Sequence, residues 1–177
     1  MRKIPSLFKR EFKNHNVVNC LNEVTGNCKW VLNGQGFATE KLDGTCCLIK
    51  DNQIYRRYDA KPERKPPKGA IPCQKHPDKE TGHFPHWVLC SENNKNDKYH
   101  IEAFNRLKEN TDTPILEGTY ELIGKHFQSN PYNLDTDVLE LHGLRILDVP
   151  RTYEGIKKYL EEHYIEGIVF WKDITRF

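Results

Sequence analysis

The segment GTCCLIKDNQIYRRY, residues 44–58, constrains the fold more than any other stretch of this chain. Two runs rich in β-formers are separated only by Asp51 and Asn52. Residue types that tolerate left-handed backbone, placed between two such runs, predict a tight hairpin and therefore an antiparallel sheet. The same signal recurs in CKWVL (28–32), PILEGTYELIG (114–124), LELHGLRILDV (139–149) and GIVFW (167–171), with one further short strand expected at WVL. Helical spacing places Ile101, Phe104 and Leu107 on one face of IEAFNRLKEN. A second helix is expected over TYEGIKKYLEEHY, with Thr152 as its N-cap and Ile156, Tyr159, Leu160 and His163 aligned. Strands dominate and helices are scattered among them, which predicts an α+β class with mainly antiparallel sheet.

KPERKPPKGAIP (61–72) carries four prolines and a glycine, which exclude regular structure there. No apolar run approaches the ~20 residues of a membrane span, and MRKIPSLFKREF lacks the apolar centre of a signal peptide. The expected location is intracellular, in the cytoplasm. The six cysteines (20, 28, 46, 47, 73, 90) form no C-x-x-C pair and read as reduced thiols. Adjacent Cys46 and Cys47 should point to opposite faces of their strand.

Net charge is only +2, but it is unevenly spread. Residues 55–75 hold seven basic side chains against Asp59 and Glu63, whereas residues 101–166 hold seven basic against thirteen acidic. A basic front and an acidic second half suit a protein that grips polyphosphate or nucleic acid and also holds a divalent cation. Ordinary solvated faces would give the same pattern.

Lys41 stands two residues before an Asp-Gly step, in EKLDGTCC. A free lysine is neutral in only about one molecule in 2,500 at pH 7. A nucleophilic lysine therefore needs desolvation or nearby positive charge. Leu42 and the apolar run beyond it could supply a dry wall, and Arg56, Arg57 and a metal could supply the charge. Gly44 would admit close approach of backbone to a ligand, or an unusual φ. K-x-D-G alone matches many unrelated strand entries. Followed by E-L-x-G at Glu121 and E-G-I-V at Glu166, both on β-rich segments whose pleat fixes a carboxylate's direction, it outlines a nucleotide and Mg²⁺ pocket.

With those motifs the chain resembles the covalent nucleotidyltransferases: DNA ligases, RNA ligases and mRNA-capping guanylyltransferases. Within that superfamily it is most similar to the vertebrate-type ATP-dependent 5′–3′ RNA ligases. The resembling pieces are TEKLDGTCC (39–47), RRYDAKP (56–62), PDKETGHFPHW (77–87), NNK (93–95), ELIGKHFQSNPYNL (121–134), HG (142–143) and EGIVF (166–170). GHFPHW and SNPYNL are not generic to the superfamily. The resemblance implies an adenylyltransferase domain over residues 39–177, preceded by a segment 1–38 of unassigned role packed on it. It further implies a nucleotidyltransferase (adenylation-domain) fold, with antiparallel sheets flanked by helices around a nucleotide cleft.

The resemblance also implies roles. Lys41 is the nucleophile that takes AMP from ATP. Thr39 and Glu40 flank it against the adenine, and Asp43 and Gly44 complete the turn. Arg57 reaches ribose or phosphate, and His142 falls in the adenine-packing segment. Glu121 contacts ribose or helps hold the metal, and Glu166 orders Mg²⁺ (or Mn²⁺) near the α-phosphate. The implied partners are ATP and RNA with 5′-phosphate and 3′-hydroxyl ends. One departure stands out. A further lysine motif is expected about a dozen residues beyond the E-G-I-V acid, whereas eleven residues follow Glu166 and Lys172 does not fit the pattern. The domain is thus expected to stop before that motif.

Three rival readings compete. CQKHPDKETGHFPHWVLC contains Cys73, His76, His83, His86 and Cys90, types and spacings that could close a zinc site. A nucleic-acid-binding module without catalysis could use the basic 55–75 segment with Tyr55 and Tyr58 for stacking. A capping-type guanylyltransferase, using GTP, remains the nearest enzymatic alternative.

Overall fold

At the Asp51–Asn52 step both residues are left-handed, with φ of 50° and 54°. That is the turn whose twist matches two antiparallel strands, and Lys50 pairs with Gln53 directly across it. The computed structural model describes residues 3–14, 16–79 and 81–173. In chain order the strands are β1 (Phe8–Lys13), β2 (Asn16–Val24), β3 (Phe37–Lys41), β4 (Thr45–Lys50), β5 (Gln53–Ala60), β6 (Ile71–Pro72), β7 (Phe84–Leu89), β8 (Gly118–Ile123), β9 (Val138–Leu141), β10 (Ile146–Leu147) and β11 (Gly167–Trp171). The helices are α1 (Lys29–Leu32), α2 (Lys98–Glu109) and α3 (Tyr153–Glu162). The class is α+β, and every strand pairing is antiparallel.

The chain divides into two compact units. One is built from Leu42–His142 and the other from Ile4–Lys41 with Gly143–Ile174. In the first, a six-stranded sheet runs β6-β7-β5-β4-β8-β9. Alternation along β4 and β8 turns Cys47, Ile49, Tyr120 and Leu122 into a core that Ala103 and Phe104 of α2 cover, with Leu107 packed alongside. Cys46 points to the other face, as its adjacency to Cys47 requires. At the N-terminal end of α2 lies a buried ion pair. Asp97, 1% exposed, accepts from Arg56 Nε at 2.7 Å, from Ser91 N–H at 3.0 Å and from Asn94 Nδ2 at 3.0 Å.

In the second unit β3 is the middle strand of a three-stranded sheet, β10-β3-β11. Phe8, Ala38, Val149 and Ile156 form its core. Residues 1–38, featureless as sequence, supply a β1–β2 hairpin in which Phe8 meets the Tyr153 ring of α3 edge-on at 5.0 Å. Helix α3 begins as expected. The Thr152 hydroxyl accepts from the Gly155 N–H at 3.1 Å, a cap worth about 1 kcal/mol. His163 lies beyond the helix and stacks on Tyr159 at 3.9 Å.

Four expectations are corrected. KPERKPPKGAIP, expected to hold no regular structure, ends in β6, Ile71–Pro72, where an edge strand tolerates proline's missing N–H. CKWVL is a helical turn, not a strand. A four-residue apolar run carries no period, and the following Asn33-Gly34 stops a helix, with Gly34 at φ 74° donating back to Val31. PILEGTYELIG is a strand only from Gly118. LELHGLRILDV is two strands in two different sheets, interrupted at Gly143 with φ 88°.

Candidate active site

The motif residues divide between the two units, because the chain crosses from one to the other between Lys41 and Leu42 and returns between His142 and Gly143. In the unit that holds β3, the register pairs Lys41 with Gly167, Glu40 with Ile168 and Thr39 with Val169. Glu166 immediately precedes Gly167, so this register brings Lys41 Nζ onto the Glu166 carboxylate, which accepts a hydrogen bond from it. Two motifs far apart in sequence thereby meet. A Cβ at Gly167 would stand 3.7 Å from the Lys41 side chain, an ordinary contact, so register rather than the glycine brings the pair together.

The amine is not in the dry setting that Leu42 suggested, for the Lys41 side chain is 46% exposed. Glu40, on the opposite face of β3, accepts from Arg145 Nη1 at 3.3 Å while its N–H donates to the Arg145 carbonyl at 3.0 Å. Thr39 is 2% exposed, and its hydroxyl oxygen accepts from the Trp171 indole N–H at 2.7 Å. Thr39 is thus packed into the sheet and positions the strand that carries Lys41.

The unit that holds β4 and β8 carries the remaining motif residues. The Asp43 N–H donates to Tyr132 Oη at 2.7 Å, and Gln128 Nε2 donates to the Gly44 carbonyl at 3.2 Å. The SNPYNL loop therefore clamps the turn of K-x-D-G, a role that sequence reasoning did not assign to Tyr132 or Gln128. Gly44 is required sterically. A Cβ there would lie 2.4 Å from the Leu122 carbonyl oxygen and 2.7 Å from Ile123 Cγ2. Backbone of β8, rather than a ligand, is what approaches this glycine.

Register also assembles the second cluster. Cys46 and Glu121 are cross-strand partners on β4 and β8, and the His142 N–H, at the end of β9, donates to the Thr119 carbonyl at 3.0 Å. The His142 ring contacts Thr119 Oγ1 through Nδ1 at 3.0 Å and Glu121 Oε2 through Nε2 at 2.9 Å. His142 is thus a polar bridge within the sheet. Burial pushes the Cys46 thiol up to about 12, the Glu121 carboxylate pushes the same way, and the Arg57 guanidinium opposes them. Arg57 Nε donates to Asp59 at 3.1 Å, and both residues line a cleft with Lys3, Thr81, His83 and Pro85.

The zinc reading of the 73–90 segment fails. Among the described residues, no three of Cys73, His76, His83, His86 and Cys90 bring ligating atoms within 4.8 Å of one another. His86 is buried with Nδ1 against the Phe84 carbonyl at 2.7 Å, and Cys90 packs on the core. All six cysteines are free, as expected of reduced thiols. No helix among the described residues is long and apolar enough to cross a membrane.

Strand register thus holds Lys41 to a glutamate distant in sequence, in a chain that has curated relatives. It is similar to RNA ligase 1 of Pongo abelii, with 28% identity over 205 aligned positions, covering 75% of this chain and 62% of the relative. RNA ligase 1 of Rattus norvegicus and of Mus musculus are each 27% identical over 202 positions with the same coverage. These similarities bear out the resemblance to a vertebrate-type RNA ligase. The aligned region spans about three-fifths of the curated relatives' length. No protein-family model matches the chain.

Proposed function

We propose that this chain carries the nucleotidyltransferase part of an ATP-dependent RNA ligase, joining a 5′-phosphate to a 3′-hydroxyl through AMP held on Lys41. One observation carries the reading: the K-x-D-G lysine and the E-G-I-V glutamate meet as side chains because Lys41 is in register with Gly167. Similarity to proteins named RNA ligase 1 supports it.

In the first step the Lys41 nitrogen, its proton lost, forms a bond to the α-phosphorus of ATP. The bond from that phosphorus to the bridging oxygen breaks, and pyrophosphate leaves. Glu166, already accepting from Nζ, is placed to receive the proton. In the second step an oxygen of the RNA 5′-phosphate attacks the AMP phosphorus, and the P–N bond breaks to return the lysine. In the third, a 3′-hydroxyl attacks the activated 5′-phosphorus, losing its proton as AMP departs. Each transition state is crowded with negative charge, so positioning and cations carry most of the acceleration.

A hard dication supplies charge neutralisation on the triphosphate when bound. Glu166 offers the oxygen donors that Mg²⁺ or Mn²⁺ prefers. Glu121 fits less well, because one of its oxygens is engaged by His142 and its cross-strand neighbour is the sulfur of Cys46. Arg57, in its cleft with Lys3, is the cation we assign to ribose or phosphate, and Asp43 and Gly44 fix the turn that aims the nucleophile.

The test is direct. Incubation with ATP and Mg²⁺ should add one AMP mass to the peptide containing Lys41, and Lys41→Ala should abolish it while melting normally. GTP should be a poor substitute; a preference for GTP would indicate a capping-type enzyme. Absence of an adduct with either nucleotide, together with retained RNA binding, would favour the non-catalytic binding module instead.

A further inference from the structure

Cys46, Glu121 and His142 present a sulfur, a carboxylate oxygen and a ring nitrogen that all lie within 4.8 Å of one another. They come from three adjacent strands or strand ends of one sheet, β4, β8 and β9, so register rather than a flexible loop fixes their spacing. The histidine is oriented from behind, because Thr119 Oγ1 holds Nδ1 at 3.0 Å and leaves Nε2 facing Glu121. A hydrogen-bonded far nitrogen is what metal-ligating histidines ordinarily have. Three such donors, one of them sulfur, do not suit Mg²⁺, which demands six oxygens. Thiolate, imidazole and carboxylate together suit a borderline-soft dication in tetrahedral geometry with its fourth position open.

We infer that Cys46, Glu121 and His142 form a binding site for a soft divalent cation such as zinc, distinct in chemistry from the Mg²⁺ that nucleotidyl transfer uses. Tetrahedral zinc separates nitrogen and oxygen ligands by about 3.4 Å. The 2.9 Å His142–Glu121 contact therefore opens by roughly half an ångström on binding, within the reach of side-chain torsions. The thiol proton is released to solvent. To bind the ion, His142 Nε2 gives up the proton it shares with the Glu121 carboxylate, and the neutral ring then carries its proton on Nδ1 and donates it to the Thr119 hydroxyl oxygen.

Cobalt(II) is the probe. Titrated into the full chain without nucleotide, one equivalent should give a thiolate-to-cobalt charge-transfer band and the visible absorption of a tetrahedral ion, both removed by zinc. Cys46→Ser should abolish the charge-transfer band, Thr119→Ala should weaken binding roughly 10- to 100-fold, and Cys20→Ser, at an exposed thiol of the other unit, should change nothing. A variant-free measurement guards against misfolding. X-ray absorption of the one-equivalent zinc form should show one sulfur at about 2.3 Å with nitrogen and oxygen neighbours. A shell without sulfur, a shell with two or more sulfurs, or a cobalt band that survives in Cys46→Ser would overturn the assignment. The outcome is independent of catalysis. A missing AMP adduct leaves the cobalt spectrum untouched, and a missing cobalt band leaves adenylylation on Lys41 untouched.

Discussion

Replacing Gly44 with alanine separates the steric reason for the K-x-D-G glycine from a chemical one. The added methyl would sit 2.4 Å from the Leu122 carbonyl oxygen, 2.7 Å from Ile123 Cγ2 and 3.0 Å from the Leu122 carbonyl carbon. Two of these three atoms are backbone of β8, paired to β4 through Thr45 and Leu122, so they cannot swing aside as the end of a side chain would. Inserting a methyl group into packed structure costs about 1–3 kcal/mol, and contacts this short on main chain place Gly44→Ala near the upper end, ~3 kcal/mol. For a unit of about 100 residues each kcal/mol is worth roughly 4–8 °C, so the melting temperature should fall by roughly 12–24 °C. Thermal unfolding followed by circular dichroism would read this. Gly26→Ala, where nothing lies within 4 Å of a Cβ, serves as control and should melt as the parent does. A Gly44→Ala protein that melts within about 2 °C of the parent would refute the packing argument and return the glycine to a role in ligand approach.

Four other outcomes follow from the geometry. Asp97→Ala strands the Arg56 guanidinium and two further donors at the N-terminal end of α2, so urea unfolding should show a loss of about 3–5 kcal/mol; the paired change Arg56→Met with Asp97→Leu should recover most of it. His100 is held below the usual histidine range by burial, with Arg56 acting the same way and Asp97 and Asp137 opposing. Its folded form therefore binds fewer protons than the unfolded chain. Stability should be full above about pH 6.5 and decline as pH falls below it, and His100→Gln should flatten that decline in melts taken from pH 7.5 to 5.5. Burial pushes the Cys90 thiol up to about 12, leaving a thiolate fraction on the order of 10⁻⁴ at pH 8; peptide mapping after brief iodoacetamide treatment should find exposed Cys20 labelled and Cys90 untouched. Finally, Tyr132→Phe removes the acceptor for the Asp43 N–H, at a cost of about 1 kcal/mol. Its lysine-adduct yield should drop more than its melting temperature, whereas equal yields would deny the loop a part in aiming the turn.

Legibility in the sequence followed the range of the interaction. The Asp51–Asn52 hairpin, the Thr152 cap and the opposed faces of Cys46 and Cys47 were all readable, because each is settled by a few consecutive residues. CKWVL was misread because four apolar residues carry no period, and LELHGLRILDV was misread because nothing local announces that a chain changes sheets. Lys41 and Glu166 were singled out through motif resemblance, but their meeting was not visible in either motif.

The sequence by itself determined the secondary-structure class and the chemical types available: a K-x-D-G lysine, two glutamates in β-rich segments and six thiols with no C-x-x-C pair. Only the tertiary structure decided who meets whom. Lys41 faces Glu166 because β3 and β11 align Lys41 with Gly167, and Cys46 joins Glu121 and His142 because β4, β8 and β9 lie side by side. The physical reason is that strand register is a long-range quantity. Shifting it by one residue turns every side chain to the other face, and no short window of sequence encodes it.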